Sequence, residues 1–574
     1  MQKRWFVRTS KNSTTVEEFR SSLKVDAIVA ELLLQREIDT FEKAEKFFRP
    51  TLEQLHDPFL MKDMDRAVTR LQSAIENGEK VMLYGDYDVD GTTSVALLYT
   101  LLKEHVEQLE FYIPDRYAEG YGVSEKGIQF AIDEGVKLII TLDCGIKALA
   151  QVEQAITNGV EVIVCDHHRP GAQLPNGIIL DPKRKDCNYP FDELSGCGVG
   201  FKLMQALYTR NEWSFDPLWS NLDLLAISIG ADLVPVVGEN RALCFLGMKQ
   251  LNDAPRAAFR EMLILANRTF PVTLTDVVFT IAPRINAAGR LRSGKHAVEL
   301  MISNDIDEIR KIASEINTDN LERRELDKEI TAEALEMLEE YPKERCTNVV
   351  FKENWHKGVV GIVASRIIEK FYKPTIVLTE SNGEITGSAR SVRDFDVHDA
   401  IEKCSELLGK FGGHKYAAGL SLKKENLEAF KEKFESVVAN SIDKELLIPE
   451  QEIDVELSFD QIFGPEENRL KIPRIKRVLR QFEPHGPGNM KPVFISKNVF
   501  STDVRLLKEA HLKLSMAQPD SDIILEGIGF SMPEKVDDVA SGMPFDVVYT
   551  LEINRWRDRE SIQLNIKDIR SSVT

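Results

Sequence analysis

Residues 85–94 read GDYDVDGTTS and place three aspartates, Asp86, Asp88 and Asp90, at alternate positions ahead of a glycine and a run of hydroxyls. Two more acidic stops follow: Asp143 in ITLDCG, and Asp166 beside His167 and His168 in IVCDHH. Gathered in one cleft, so many carboxylates would repel one another unless protons or cations intervened. Divalent metal is the simplest remedy. Mixed aspartate and histidine ligation suits Mn²⁺, Mg²⁺ or Fe²⁺ better than a structural zinc, and shared carboxylates can bridge two ions about 4 Å apart. The chemistry expected of such a site is attack of a metal-activated water on a phosphate ester.

Each piece alone has an ordinary structural explanation. Asp-x-Asp turns are common, and calcium loops use them, although no EF-hand spacing follows here. A His-His pair at a strand end is as often hydrogen-bonded packing as metal ligation. The set at successive strand ends is far more specific than any member. No lysine accompanies Gly91-Thr92-Thr93-Ser94, which excludes a P-loop. Thr92 to Ser94 are expected instead to cap a helix whose first amides add positive potential beside the carboxylates.

The surrounding pattern explains how these residues meet. From residue 79 apolar runs alternate with amphipathic stretches, as in a βα repeat. Strands are predicted at 80–84, 108–113, 136–142, 160–165 and 177–180, and runs apolar throughout imply a parallel sheet covered on both faces. Ligands bind outside the carboxyl ends of such strands, which is where the aspartates fall. Residues 305–342 have neither Gly nor Pro before the final Tyr-Pro and read as one long helix, or two abutting ones, with a solvated charged face. A second α/β unit is expected over 346–445, with strands in TNVVF and PTIVLT. From 450 onward the runs EIDVELSF, PVFISKNVF, DIILEGIGF, FDVVYTLEI and SIQLNIKDI predict a small antiparallel barrel of OB-like type. The first fifty residues read as mixed helix and loop without a chemical signal.

At 574 residues the chain exceeds one core, and 43% hydrophobic with 29% charged residues is the balance of a globular protein of several domains. The formal net charge of −19, from 73 basic and 92 acidic residues, argues against a general DNA-coating protein. It is compatible with a nuclease, because a local basic channel and bound cations attract phosphate while the remaining surface repels it. The seven cysteines form no CxxC pair, so neither a zinc cluster nor a disulfide framework is signalled. No apolar window reaches membrane-spanning length and the start lacks a signal-peptide core, so a cytoplasmic protein is expected.

GDYDVDGTTS, TLDCGI, CDHHRPG and GADLVP, in that order, resemble the successive motifs of the DHH phosphoesterase superfamily. APRINAAGR (282–290), the long connector, GSARS (387–391) and FGGHKYAAG (411–419) look specifically like the RecJ family of single-strand-specific 5′ to 3′ DNA exonucleases. The resemblance, over residues 50–574, implies an α/β fold. A parallel-sheet DHH domain (51–304) is joined by a long helix (305–345) to a smaller α/β DHHA1 domain (346–449). A C-terminal antiparallel OB-like β-barrel (450–574) follows, and 1–50 is an N-terminal helical and loop segment.

The same resemblance implies two divalent ions, Mn²⁺ or Mg²⁺, held by Asp86, Asp88, Asp90, Asp143, His167 and Asp232, with Asp143 as the bridge. His168 would contact the scissile phosphate and Asp166 would orient the histidines. Asp232 is singled out by the resemblance alone, since ISIGADLVP reads equally well as a helix end. Pyrophosphatase relatives carry a ligating histidine where this chain has Tyr84, a poor ligand, which passes that role to Asp86. Across the cleft, Ser388, Arg390 and a Gly412-Gly413-His414 turn become candidates for the 5′-terminal phosphate, because an arginine fork and glycine amides suit phosphate oxygens. Arg116, Arg284 and Arg290, set beside glycines, are further phosphate candidates, and Tyr117 and Tyr121 are candidates to stack on bases. In the barrel, Lys491 and His485 of QFEPHGPGNMKPVF are weaker DNA-contact candidates.

The implied function is a single-stranded-DNA-specific 5′ to 3′ exonuclease of DNA repair and recombination, monomeric, away from membranes. Its implied partners are a single-strand-binding protein and a RecQ-type helicase. Two rivals stand beside it: a nano-RNase, nucleotide phosphatase or cyclic dinucleotide phosphodiesterase of the same superfamily, and a non-catalytic single-strand-binding scaffold.

Overall fold

In the computed structural model, which describes residues 3–8, 13–291, 293–464, 472–519, 521–556 and 559–572, the βα repeat forms a five-stranded parallel sheet. Its order is Leu109–Tyr112, Val81–Gly85, Leu138–Leu142, Glu161–Cys165, Ile178–Leu180. The three central strands are apolar throughout because alternate side chains meet helices on opposite faces. Leu83, Ile140 and Ile163 pack with the helices Met64–Glu76, Val89–Leu102 and Gly196–Arg210. Met82, Ile139 and Val162 pack with Glu125–Asp133 and Leu149–Thr157. From Val81–Gly85 the chain runs out to Leu109–Tyr112 and then returns to pair Leu138–Leu142 on the other side. The order therefore reverses between two adjacent strands, and a crevice opens at their carboxyl ends, just where Asp86 and Asp143 stand.

The connector is a single helix, Ile306–Glu339, of 34 residues, about 50 Å long at 1.5 Å per residue. Its two halves are buried in different cores. Ile309, Ile312, Ala313 and Ile316 join the core of the parallel sheet, while Ile330, Ala334 and Leu338 pack on Val360, Val363 and Ile367 of the Val360–Lys370 helix. A mixed five-stranded sheet follows, ordered Lys410–His414, Ala417–Leu422, Glu384–Arg390, Thr375–Ser381, Asn348–Phe351. The Gly412-Gly413-His414 segment, expected as a turn, lies instead on the edge strand of this sheet, and Lys415 and Tyr416 make the turn. A Cβ on Gly413, at φ 149°, would stand 2.3 Å from the Ala417 carbonyl, so glycine here permits close strand approach.

The C-terminal strands close into a barrel through pairing of Phe494–Leu507 with Phe545–Trp556. Two parallel pairs, Val455–Glu456 with Phe494–Ile495 and Gly527–Gly529 with Leu564–Ile566, sit among antiparallel neighbours. The first fifty residues are not an independent segment. Arg4–Val7 is a strand paired in parallel with Glu450–Ile453, and Val29, Leu32 and Leu33 enter the barrel's core. Arg241, 4% exposed, joins the barrel to the parallel-sheet unit by donating to the carbonyls of Phe47, Gln481, Phe482, Glu483 and Pro484. Of the seven cysteines all are free and only Cys187 is not buried. No helix among the described residues is long and apolar enough to cross a membrane.

Candidate metal centre and phosphate cleft

Asp86, Asp143 and Asp166 each directly follow a buried strand, and the strand ends bring them together as expected. Asp143 adopts the left-handed backbone (φ 60°), a conformation that persists only where surrounding structure enforces it. Asp232 arrives from the last residue of the helix Leu222–Asp232. His167 Nε2 lies 3.1 Å from Asp143 Oδ1, 3.5 Å from Asp232 Oδ2 and 3.8 Å from Asp90 Oδ2. Two groups of ligand atoms result, Asp143 with His167 and His168, and Asp90 with His167 and Asp232, each within 4.8 Å. Asp86 and Asp88 stand outside both groups. Asp86 is buried with one oxygen on the Gly122 amide, and Asp88 accepts from Gly91 N as the N-cap of Val89–Leu102.

Asp88, rather than Thr92 to Ser94, is therefore the cap. The three hydroxyls lie inside the helix and donate to the carbonyls of Asp88, Val89 and Asp90, one turn back. Gly91 is obligatory there, since a Cβ would come 2.4 Å from the Asp86 carbonyl oxygen.

The electrostatics match a cation site. Burial, then the neighbouring carboxylates, holds Asp86, Asp88, Asp143 and Asp232 above the usual carboxylate range. Burial lowers the pKa of His167 and keeps its ring neutral, the form that ligates metal. Asp86 Oδ2, Asp143 Oδ1 and both ring nitrogens of His167 are buried without a hydrogen-bond partner. These orphaned buried polar atoms fit a divalent ion. Asp166 is different: Oδ1 accepts from His167 N, His168 N and His168 Nδ1, the last at 2.7 Å, and Oδ2 accepts from Ile146 N. It orients the ring of His168 but not that of His167, which it reaches only through the backbone. Burial alone would lower the pKa of His168, but the hydrogen bond and charge of Asp166 push it up to about 9.

Several participants escaped sequence reasoning. Gly196 N and Cys197 N, at the start of the Gly196–Arg210 helix, donate to the two oxygens of Asp90, and Ser228 Oγ adds a third bond at 2.7 Å. A Cβ on Gly196 would lie 2.5 Å from that of Asp143. The glycine-rich SGCGVG run was the available signal, but nothing local says what it faces. The expected departure at Tyr84 is structural: its hydroxyl donates to Gly122 O and accepts from Ser124 N, tying down the loop that also meets Asp86.

Beside the carboxylates lies a cavity of about 510 Å³ lined by Arg116, Tyr121, Arg290, Ser388, Arg390 and Gly413. None of the three arginines has a carboxylate partner among the described residues. Arg116 stacks over Tyr87 at 4.8 Å, Arg290 donates to Gly358 O, and Arg390 donates to Ser388 Oγ and Ala389 O. Burial, then mutual repulsion, lowers the pKa of Arg390 and brings Arg290 down to about 10. Three partly buried arginines without a carboxylate partner among the described residues form an anion site. Val360 and Gly361, the first residues of the Val360–Lys370 helix, line it too, and a Cβ on Gly361 would crowd Ser388 Oγ at 3.0 Å. The two sites share a wall. The Tyr121 hydroxyl is 3.1 Å from His168 Nε2, and burial together with Arg390 and His168 lowers the pKa of His414.

Other predicted residues are placed elsewhere. Arg284 is buried, donating to Thr280 O and to Asn317 of the long helix, so it pins that helix and does not line the cleft. Gly412 lines a neighbouring cavity. Tyr117 donates its hydroxyl to Arg290 O and lies 4.6 Å under Lys357 Nζ, which holds it as a strut across the cleft. Lys491 pairs with Glu552 at 2.8 Å, and burial, then nearby Lys491, lowers the pKa of His485 to about 3. The PHGPGN turn docks on the parallel-sheet unit, with Val236 N donating to Pro487 O, so neither residue is a free DNA contact.

Residues 80–229 match the DHH family, N-terminal domain; 344–440 match the DHHA1 domain; 453–568 match the RecJ OB domain. The single-stranded-DNA-specific exonuclease RecJ of Bacillus subtilis is 37% identical over 571 residues, which cover 98% of this chain and 70% of that protein. The crystal structure of RecJ from Thermus thermophilus in complex with Mn²⁺ superposes with a TM-score of 0.84 at 27% identity, covering 99% of this chain and 79% of that one. Its Mg²⁺ complex gives 0.78 at 25% identity, with 99% and 78% covered. Motif order, carboxylate cluster, closed barrel and a likeness that spans nearly all of this chain agree, and the chain belongs to the RecJ family of single-stranded-DNA-specific exonucleases.

Proposed function

We propose that the chain is a metal-dependent exonuclease that removes nucleotides one at a time from the 5′ end of single-stranded DNA. The observation that carries the polarity is the placement of the unpaired arginine pocket on the same cleft as the carboxylate cluster, with Tyr121 between them. An exonuclease needs a site for the chain end next to the site that hydrolyses it. Arg116, Arg290, Arg390, Ser388 and the Gly413 amide hold the terminal phosphate, while Asp86, Asp88, Asp90, Asp143, His167 and Asp232 hold two divalent ions. Bound there, Mn²⁺ or Mg²⁺ neutralises the carboxylates and makes water acidic enough to attack the phosphodiester. Asp166 keeps a proton on His168 Nδ1, so that Nε2 is aimed at a phosphate oxygen with Tyr121 as its second neighbour. Asp90, anchored by the helix amides, keeps its position as charge changes around it.

The barrel extends the path for the strand, with 1–50 acting as part of it, and the divisions at 51–304, 305–345, 346–449 and 450–574 serve the remaining roles. Action in repair and recombination, in the cytoplasm, as a monomer beside a single-strand-binding protein and a RecQ-type helicase, follows from the same reading. Similarity to an exonuclease over nearly all of this chain leaves the small-substrate hydrolase and scaffold readings without support. The deciding experiment follows 5′-labelled and 3′-labelled single strands, blunt duplex and dinucleotides in Mn²⁺. Early release of the 5′ label from single strands alone is expected. Faster loss of the 3′ label, or equal rates on blunt duplex, would overturn the proposal.

A further inference from the structure

The terminal-phosphate pocket is not closed behind. A second cavity, of about 650 Å³, adjoins it and shares Tyr117, Tyr121, Lys357, Thr386 and Gly419 as a common wall. That volume lies inside the roughly 300–1,000 Å³ range of small-molecule sites. Its own lining is mixed, with Lys357 and Lys410 beside Glu384 and the apolar Phe411 and Leu420. Lys410 is exposed there with no carboxylate partner among the described residues, and Ser421 Oγ is a buried hydroxyl without a hydrogen-bond partner. Beyond Ser381 and Asn382 a third cavity, of about 700 Å³, carries Glu329, Glu353 and Glu380. An anion leaving the arginines therefore meets Lys357 and Lys410 with one carboxylate, Glu384, in one direction, and Lys357 with four carboxylates, Glu329, Glu333, Glu353 and Glu380, in the other.

Each cycle leaves a nucleoside 5′-monophosphate whose phosphate sits among Arg116, Arg290 and Arg390, with the shortened strand still occupying the metal side of the cleft. Leaving by the way it came would require the strand to withdraw first. Resting on the terminal-phosphate reading above, we propose that the second cavity receives the released nucleoside 5′-monophosphate and is the route by which it departs. The strand can then advance by one nucleotide without dissociating. Lys357 and Lys410 guide the phosphate outward.

The test compares Lys410→Glu, Ser381→Trp and Arg390→Gln in the whole Mn²⁺-loaded chain. Thymidine 5′-monophosphate serves as product probe, and single-turnover cleavage is measured beside steady-state turnover. Lys410→Glu should weaken product inhibition about two- to fivefold, the worth of one partly exposed charge pair, with single-turnover cleavage unchanged. Ser381→Trp, which narrows the second cavity away from the arginine pocket, should give a normal first turnover followed by slow steady-state release. Unchanged inhibition and steady-state rate in both variants, or a parallel fall in single-turnover rate, would overturn the inference. Arg390→Gln separates the two failures. If it leaves discrimination between 5′-phosphate and 5′-hydroxyl strands intact, the terminal-phosphate reading itself is wrong. If it removes that discrimination while the cavity variants stay silent, only the departure route is wrong.

Discussion

Replacing Arg390 by glutamine removes one cation from the arginine pocket without touching the carboxylate cluster. The guanidinium has five N–H groups, of which Nη1 spends two on Ser388 Oγ (2.9 Å) and Ala389 O (2.8 Å), leaving three (five less two) on Nε and Nη2. Gly361 keeps the space beside Nη2 clear. One charge-assisted hydrogen bond to a phosphate is worth about 1.5–3 kcal/mol, so losing it should reduce the preference for a 5′-phosphorylated over a 5′-hydroxyl strand by about 10- to 150-fold in kcat/KM. The assay measures both strands with wild type and variant, and the difference of differences isolates the contact. Stability provides an internal control. Arg390 has no carboxylate partner among the described residues and is repelled by Arg116, so the variant's melting temperature should be unchanged or raised. If the variant slows both strands equally, or unfolds, Arg390 is a structural residue and the pocket's assignment falls.

Asp143→Asn should bring nuclease activity to background, while the metal-free protein becomes more stable in thermal melts, because a buried carboxylate repelled by Asp90, Asp88 and Asp232 is gone. Metal dependence should itself vary with pH. The raised carboxyls of Asp86, Asp88, Asp143 and Asp232 bind protons in the folded metal-free protein where the unfolded chain has lost them. Its stability therefore falls as pH rises from the ordinary carboxylate range through those raised values. Mn²⁺ should accordingly raise the melting temperature more at mildly alkaline than at mildly acid pH, as differential scanning fluorimetry with and without chelator will show. Arg241→Met should cost about 2–3 kcal/mol in urea unfolding, since it orphans buried carbonyls at the barrel junction. Arg284→Met should destabilise the long helix's attachment, seen as faster amide exchange, while leaving DNA affinity per folded molecule unchanged.

Residues whose role is expressed locally were legible without coordinates. Apolar runs bounded by turns mark the parallel strands, and in a parallel sheet the carboxyl ends are where ligands bind. Asp86, Asp143 and Asp166 to His168 could thus be assembled from periodicity alone, and the Gly-free, Pro-free stretch behind Ile306–Glu339 announced a helix. Asp232 and the arginine pocket needed the family's motif order, because a helix end and scattered arginines carry no local chemical signature. Three-dimensional packing decided the rest. The amides of Gly196 and Cys197 meet Asp90 from 106 and 107 positions away. Arg284, equivalent to Arg290 by sequence, faces the long helix because the two stand six positions apart on Ala282–Leu291 and point to different sides. Arg4–Val7 completes a sheet with a strand beginning at Glu450.

The amino-acid sequence by itself determined the kinds of element, their order and the ligand chemistry, since these depend on spacing within a few residues. Which amides hold Asp90, which arginine remains unpaired and which glycine makes room beside Asp143 are set by contacts between segments far apart in the chain. Hydrogen bonding and steric exclusion act through space, so only the tertiary structure could decide them.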